Sequence, residues 1–129
     1  MKDEAVVKAM GAFGGGIASS GNVCGTLLGG IAMISSIYSR GRLDEKENPH
    51  IWALSMNFMK EFENLTQSFG GIHCHDIARV DWKDRGAVKE YYSSPESSRK
   101  VCVKLVGDAA YALGVLLEQE AARQENNQE

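Results

Sequence analysis

Between Ala9 and Ser39 the chain runs for 31 consecutive positions without a charged residue. A run of that length either spans a membrane or lies in a protein core. Gly14-Gly15-Gly16 and Ser19-Ser20-Gly21-Asn22 interrupt it, leaving about 16 mostly apolar residues from Val23 to Tyr38, where a span needs roughly 20. The expectation is therefore a buried central helix and no membrane span. Its Gly25-x-x-x-Gly29 spacing suits close approach of a neighbouring helix.

The rest of the composition is that of one soluble globular domain: 129 residues, 43% apolar, 24% charged and two prolines. Such a chain buries about two-thirds of its unfolded surface and needs no disulfide staples. Its three cysteines, Cys24, Cys74 and Cys102, are an odd number and too sparse for a secreted disulfide scaffold. The net charge of −3 is all contained in residues 118–129, which hold four Glu and one Arg. Residues 1–117 are balanced, and no basic face suggests a nucleic-acid partner. Lys2-Asp3-Glu4 is not the positive start of a signal peptide. A cytoplasmic, reducing setting is expected, where thiols ligate metals or do redox work.

Periodicity predicts helices and no convincing strand. Val6, Ala9, Met10 and Phe13 mark a first helix over 3–13. A second starts near Asn22 as N-cap, apolar on nearly every face, and reaches Ser39. The third has Asn48 as cap, Pro49 in its first turn, an apolar stripe from Ile51 to Phe69 and a Gly70-Gly71 stop. The last opens at Ser94-Pro95-Glu96 and continues through Cys102, Leu105, Ala109, Leu113 and Leu116 before fraying. Between the last two lie a short helix around Cys74–Val80 and an irregular connector to Ser93. The fold class is all-α, a compact antiparallel bundle of about four main helices plus the short one. Residues 1–117 form the domain and 118–129 a polar acidic tail.

Cys24 is the most suggestive position for chemistry. It follows the loop Gly14–Gly21 at the start of the second helix, where unpaired N–H groups and the helix dipole favour thiolates. Gly14, Gly15, Gly16, Gly21 and Gly25 would let the backbone approach a cofactor closely. Equally, Cys24 reads as a small buried hydrophobe and the glycines as turn formers. The loop is neither a Walker A nor a dinucleotide fingerprint. In His73-Cys74-His75-Asp76, three consecutive candidate ligands point in different directions, so at most two can serve one ion. The spacing excludes covalent c-type haem attachment. His50 reads as structural. Cys102 lies on the apolar stripe of the last helix and faces inward. No cysteine pair has zinc-knuckle spacing, and no nucleophile elbow marks a hydrolase.

The run from Phe13 to Gly29, with Cys24-Gly25-Thr26-Leu27-Leu28-Gly29 against the pattern Cys-Gly-Ala-x-x-Gly, resembles the C_GCAxxG_C_C family of redox-active proteins. Cys74, followed by Val80-Asp81-Trp82, and Cys102 are similar to the family's later cysteines. The resemblance, which extends to the split-Soret cytochrome group, implies a small helical redox protein. The family pattern also has a cysteine upstream of the glycine loop, which has no counterpart here. It implies that Cys24, Cys74 and Cys102 converge as catalytic thiols or as ligands of an iron–sulfur cluster or other thiolate-bound metal, with His73 available for a remaining position. A redox partner protein or a second copy of the chain would be the partner. The alternative is a non-catalytic helical module that oligomerises or binds a ligand through the Gly25/Gly29 face.

Overall fold

The computed structural model describes residues 3–127. It contains six α-helices: α1 (Glu4–Ala9), α2 (Gly25–Tyr38), α3 (His50–Thr66), α4 (Cys74–Ile77), α5 (Arg85–Ser93) and α6 (Arg99–Asn127). Short 3-10 turns at Gly11–Phe13 and Gln67–Phe69 extend α1 and α3. The all-α expectation holds. Among the described residues the extended-chain pairing consists of the isolated antiparallel bridge Val23–His73. No helix there is long and apolar enough to cross a membrane.

The core lies where α2, α3 and α6 pack on one another. Leu27 and Ile34 of α2, Ile51, Leu54, Phe58 and Phe62 of α3, and Leu105 and Ala109 of α6 form one buried cluster. The α3 residues step by three or four, so one face carries them all. Phe58 and Phe62 meet edge to face, ring centres 6.4 Å apart. Gly30 sets the approach of α2 to α3, because a Cβ there would fall 2.4 Å from the Phe58 ring.

Several expected boundaries shift. The first predicted helix breaks at Met10, and α1 buries none of its residues. Asp3 caps it through Oδ1, which accepts from the Ala5 and Val6 amides. Asn22 does not cap α2; Cys24 itself occupies the N-cap position. Asn48 does act at α3, its Oδ1 accepting from the His50 amide at 3.0 Å. Ser94-Pro95-Glu96 forms a turn, and α6 begins only at Arg99. The connector expected before it contains α5, capped by Asp84 Oδ1, which accepts from the Gly86 and Ala87 amides.

The expected fraying after Leu116 does not occur. Residues 118–127 continue α6, and Glu120 is only 4% exposed. Its carboxylate lies 2.9 Å from His50 Nδ1 and 3.3 Å from the Arg123 guanidinium. The polar segment is thus fixed to the first residue of α3.

Candidate functional site

The glycine loop has the least ordinary backbone in the molecule. Five consecutive residues, Gly15 to Ser19, have φ between +52° and +70°. L-residues avoid this region because Cβ crowds the following carbonyl, at about 1–2 kcal/mol each. Ile17, Ala18 and Ser19 bear that cost without glycine's relief, so the turn stores roughly 3–6 kcal/mol. Amides pair back across it, Ala18 to the Ala12 carbonyl, Gly21 to Gly15 and Asn22 to Gly16.

The segment that holds the loop in place is 72–75. Cys24 N donates to Ile72 O at 3.0 Å, Cys74 N to Asn22 O at 2.6 Å and His75 N to Gly21 O at 3.1 Å. These bonds flank the Val23–His73 bridge. Side chains alternate across a strand pair, so Cys24 and Cys74 share the face opposite Val23 and His73. Cys24 leads from this junction into α2 as its N-cap, and Cys74 opens α4. Gly16 is pressed against this junction. A Cβ on it would lie 2.6 Å from the backbone of Asn22 and from Cys74 Cβ.

Cys102 arrives from α6 by a separate route. Ser98, just before α6, donates its hydroxyl to the Ala78 carbonyl at the end of α4. Ser97 donates to the carbonyl of Tyr91 in α5 at 2.6 Å. These two ties bring the first turn of α6 against α4 and α5. Cys74, Ala78 and Tyr91 form a small buried cluster, with Cys102, Val80 and Trp82 packed on it. All three cysteines are free thiols, Cys74 buried and the others half-buried.

The sulfurs are close enough to influence one another's ionisation. Burial pushes the Cys74 thiol above its ordinary value, and negative charge on Cys24 and Cys102 pushes it further. Burial likewise raises Cys102, with a smaller contribution from Cys24. Two neighbours oppose these shifts: the Trp82 indole N–H donates to Cys74 Sγ at 3.3 Å, and Tyr91, in the cluster on which Cys102 packs, holds the Cys102 thiol down. Tyr91 is itself raised by burial and stays a protonated donor. At neutral pH Cys74 and Cys102 are therefore thiols, and Cys74 has a hydrogen-bond donor in place for its thiolate.

Of the three cysteines expected to converge, Cys102 packs on the cluster that holds Cys74, and both Cys24 and Cys102 pack on the main core. His73 joins a different group. One ligand atom each from His73, His75 and Asp76 lies within 4.8 Å of the others, on the outer side of the bridge. The two histidines pair here and Cys74 points the other way, as expected of consecutive residues. The glycines make contacts within the chain: Gly21 approaches the His75 Cβ, and Gly25 the Phe13 carbonyl. Tyr91 was not singled out from the sequence. Its signal was the Asp84 cap followed by Ala87, Val88 and Tyr91 at helical spacing.

Trp82 also lines an open cleft of about 520 Å³ with Ser19, Ser20, Gly21, His75 and Asp81. The residue bonded to Cys74 therefore borders solvent. Neither a curated protein nor a solved structure matches the chain. The sequence profile described as "Putative redox-active protein (C_GCAxxG_C_C)" matches residues 1–116. The chain belongs to the C_GCAxxG_C_C family.

Proposed function

We propose that this chain is a redox protein whose working group is the thiol set Cys24, Cys74 and Cys102. The observation that carries the reading is the shared electrostatic neighbourhood of the three sulfurs, with Trp82 supplying a hydrogen bond to Cys74 and Tyr91 beside Cys102. Burial alone would make an inert thiol; a placed donor is what a thiolate intermediate needs.

In thiol–disulfide exchange the Cys24 thiolate attacks one sulfur of a partner protein's disulfide. The S–S bond breaks and the first partner sulfur leaves as a thiolate. A neighbouring thiol then gives up its proton to solvent and attacks the Cys24 sulfur. That step releases the second partner sulfur and closes an internal disulfide, so two electrons pass from this chain to the partner.

The same donor set suits a metal. An iron–sulfur cluster is held by cysteine thiolates, and Cys24, Cys74 and Cys102 would hold it. A cluster would supply one-electron transfer. Its positive charge would offset the mutual repulsion that raises Cys74 and Cys102, and Trp82 and Tyr91 would tune the sulfurs through hydrogen bonds. Either chemistry calls for a redox partner protein and a reducing, cytoplasmic setting.

Anaerobic purification followed by metal analysis, a visible spectrum and thiol counting tests the reading. Expected is either a coloured metal-containing protein or a reversible loss of two thiols on oxidation, each abolished by Cys24→Ser. Colourless, metal-free protein with three thiols that resist oxidation would refute it.

A second reading, a non-catalytic module, is favoured by one observation. A shallow groove of about 400 Å³ is lined by Gly25, Gly29, Gly30, Val106, Ala110 and Leu113, and Val106 is 51% exposed. This reading expects Cys24→Ser to leave structure and self-association intact.

A further inference from the structure

We propose that His73, His75 and Asp76 form a separate site for one divalent transition-metal ion, distinct from the three thiols. The His73 Nδ1 lies 3.5 Å from Asp76 Oδ2, and His75 Nδ1 lies 3.2 Å from Asp76 Oδ1. Two ligand atoms each about 2.1 Å from an ion, set about 100–110° apart, are about 3.2–3.4 Å from one another. Each imidazole thus stands at about that separation from one oxygen of the Asp76 carboxylate, and the three ligand atoms lie within 4.8 Å of one another, so side-chain rotation alone would bring them onto one ion.

The backbone holds these residues ready. The Val23–His73 bridge and the bonds from Cys74 N to Asn22 O and from His75 N to Gly21 O fix residues 73–75. Asp76 N donates to His73 O at 3.0 Å, which folds the carboxylate back over the imidazoles. The two rings stack nearly parallel, 5.2 Å between centres and 19° between planes. Gly71 leaves the room the carboxylate occupies, since a Cβ there would fall 2.6 Å from Asp76 Oδ2.

The ligand set also names the class of ion. Two imidazoles and one carboxylate suit zinc, cobalt, nickel or ferrous iron over calcium or magnesium, which prefer all-oxygen sites. Three protein ligands leave positions open to water or an exogenous ligand. His75 is 64% exposed at its side chain and borders the 520 Å³ cleft with Asp81 and Trp82. The open positions thus face solvent, and Cys74, between the two ligands in sequence, is directed away.

Cobalt(II) titration of the reduced full-length chain, followed by visible absorption and calorimetry, tests the site. Expected is one ion bound at this site with weak ligand-field bands, present also in Cys24→Ser, where sulfur-to-cobalt charge transfer from a thiol-bound ion does not overlap them. His75→Ala and Asp76→Asn should each weaken binding at least about tenfold, with unchanged helical content and melting temperature. Cys24→Ser and Cys102→Ser should leave binding as it was. The proposal is overturned by no uptake at about 1 mM cobalt. It is equally overturned by affinity unchanged in both histidine-site variants, or by cobalt uptake that is lost altogether in Cys24→Ser. Because the readout needs no thiol chemistry, failure of the redox reading leaves this test unaffected.

Discussion

Replacing Gly16 by alanine isolates what it takes to close the glycine loop over Cys74. Gly16 has φ +70°, where alanine loses about 1–2 kcal/mol relative to its ordinary conformations. Its new Cβ would also sit 2.6 Å from Asn22 N, Asn22 O and Cys74 Cβ, against a comfortable separation of about 3.5–4.0 Å. Relief requires the loop to lift by about 1 Å. That motion lengthens the bonds from Asn22 N to Gly16 O and from Cys74 N to Asn22 O, each contributing about 0.5–1.5 kcal/mol. Together the loss is roughly 2–5 kcal/mol. For a chain of 129 residues, an unfolding entropy of about 2.1 cal/mol/K per residue turns that into a fall of about 7–18 °C in Tm. Gly70→Ala is the control. Gly70 has φ +96° but nothing within 4 Å of its Cβ position, so only the conformational term applies, about 1–2 kcal/mol. Scanning calorimetry measures both, and mass-resolved alkylation follows Cys74. Gly16→Ala should expose Cys74 to the reagent and speed its modification; Gly70→Ala should not. Equal Tm losses together with an unchanged Cys74 rate would refute the account.

Ala18→Gly should stabilise the protein by about 0.5–1 kcal/mol in urea melts, because relief at φ +52° exceeds the added freedom of the unfolded chain. Trp82→Phe removes the donor to Cys74, so that thiol rises further and its alkylation at pH 8 slows, with the Cys102 rate unaffected. Cys74 and Cys102 have raised values in the fold, so their stabilising contribution is complete below the unfolded thiol value and lost as pH rises above about 9. Stability measured from pH 7.5 to 10.5 should fall in that window, less steeply in Cys74→Ser. Ending the chain after Leu117 removes Glu120 from its contact with His50 and should lower stability by about 1–2 kcal/mol, discounted for exposed partners, in denaturant melts.

What could be read from the sequence was whatever local rules decide. The stripe from Ile51 to Phe62 and the Asn48-Pro49 start specify α3 without help from the rest of the chain. The uncharged run gave α2, but its start moved two residues because Asn22 is engaged by Gly16 and Cys74 instead. No pattern in Ile17-Ala18-Ser19 announces a left-handed turn. It is closed by amides that pair back within residues 12–22, and only its far end, at Gly21 and Asn22, accepts from Cys74 and His75, some fifty positions away. The polar residues 118–127 resembled a solvated tail, yet long-range pairing with His50 draws Glu120 inward. Cys24, Cys74 and Cys102 were visible as residue types and by family resemblance. Trp82 was visible in the stretch that follows Cys74, but Tyr91 was not, because α5 sets it beside the thiols only after Ser97 and Ser98 dock α6.

The left-handed turn has a consequence for where the fold opens first. Gly15–Ser19 sets several kcal/mol of conformational penalty against bonds made within residues 12–22, and its far end is held where Gly21 and Asn22 accept from His75 and Cys74. It is therefore the first part of this neighbourhood to open under native conditions, at a free energy below global unfolding. The amides of Cys74 and His75, which donate into the loop, should exchange with solvent deuterium through that local opening, well before those of Phe58 or Phe62. The protein thereby reaches Cys74 by a small fluctuation of one turn while its three-helix core stays folded.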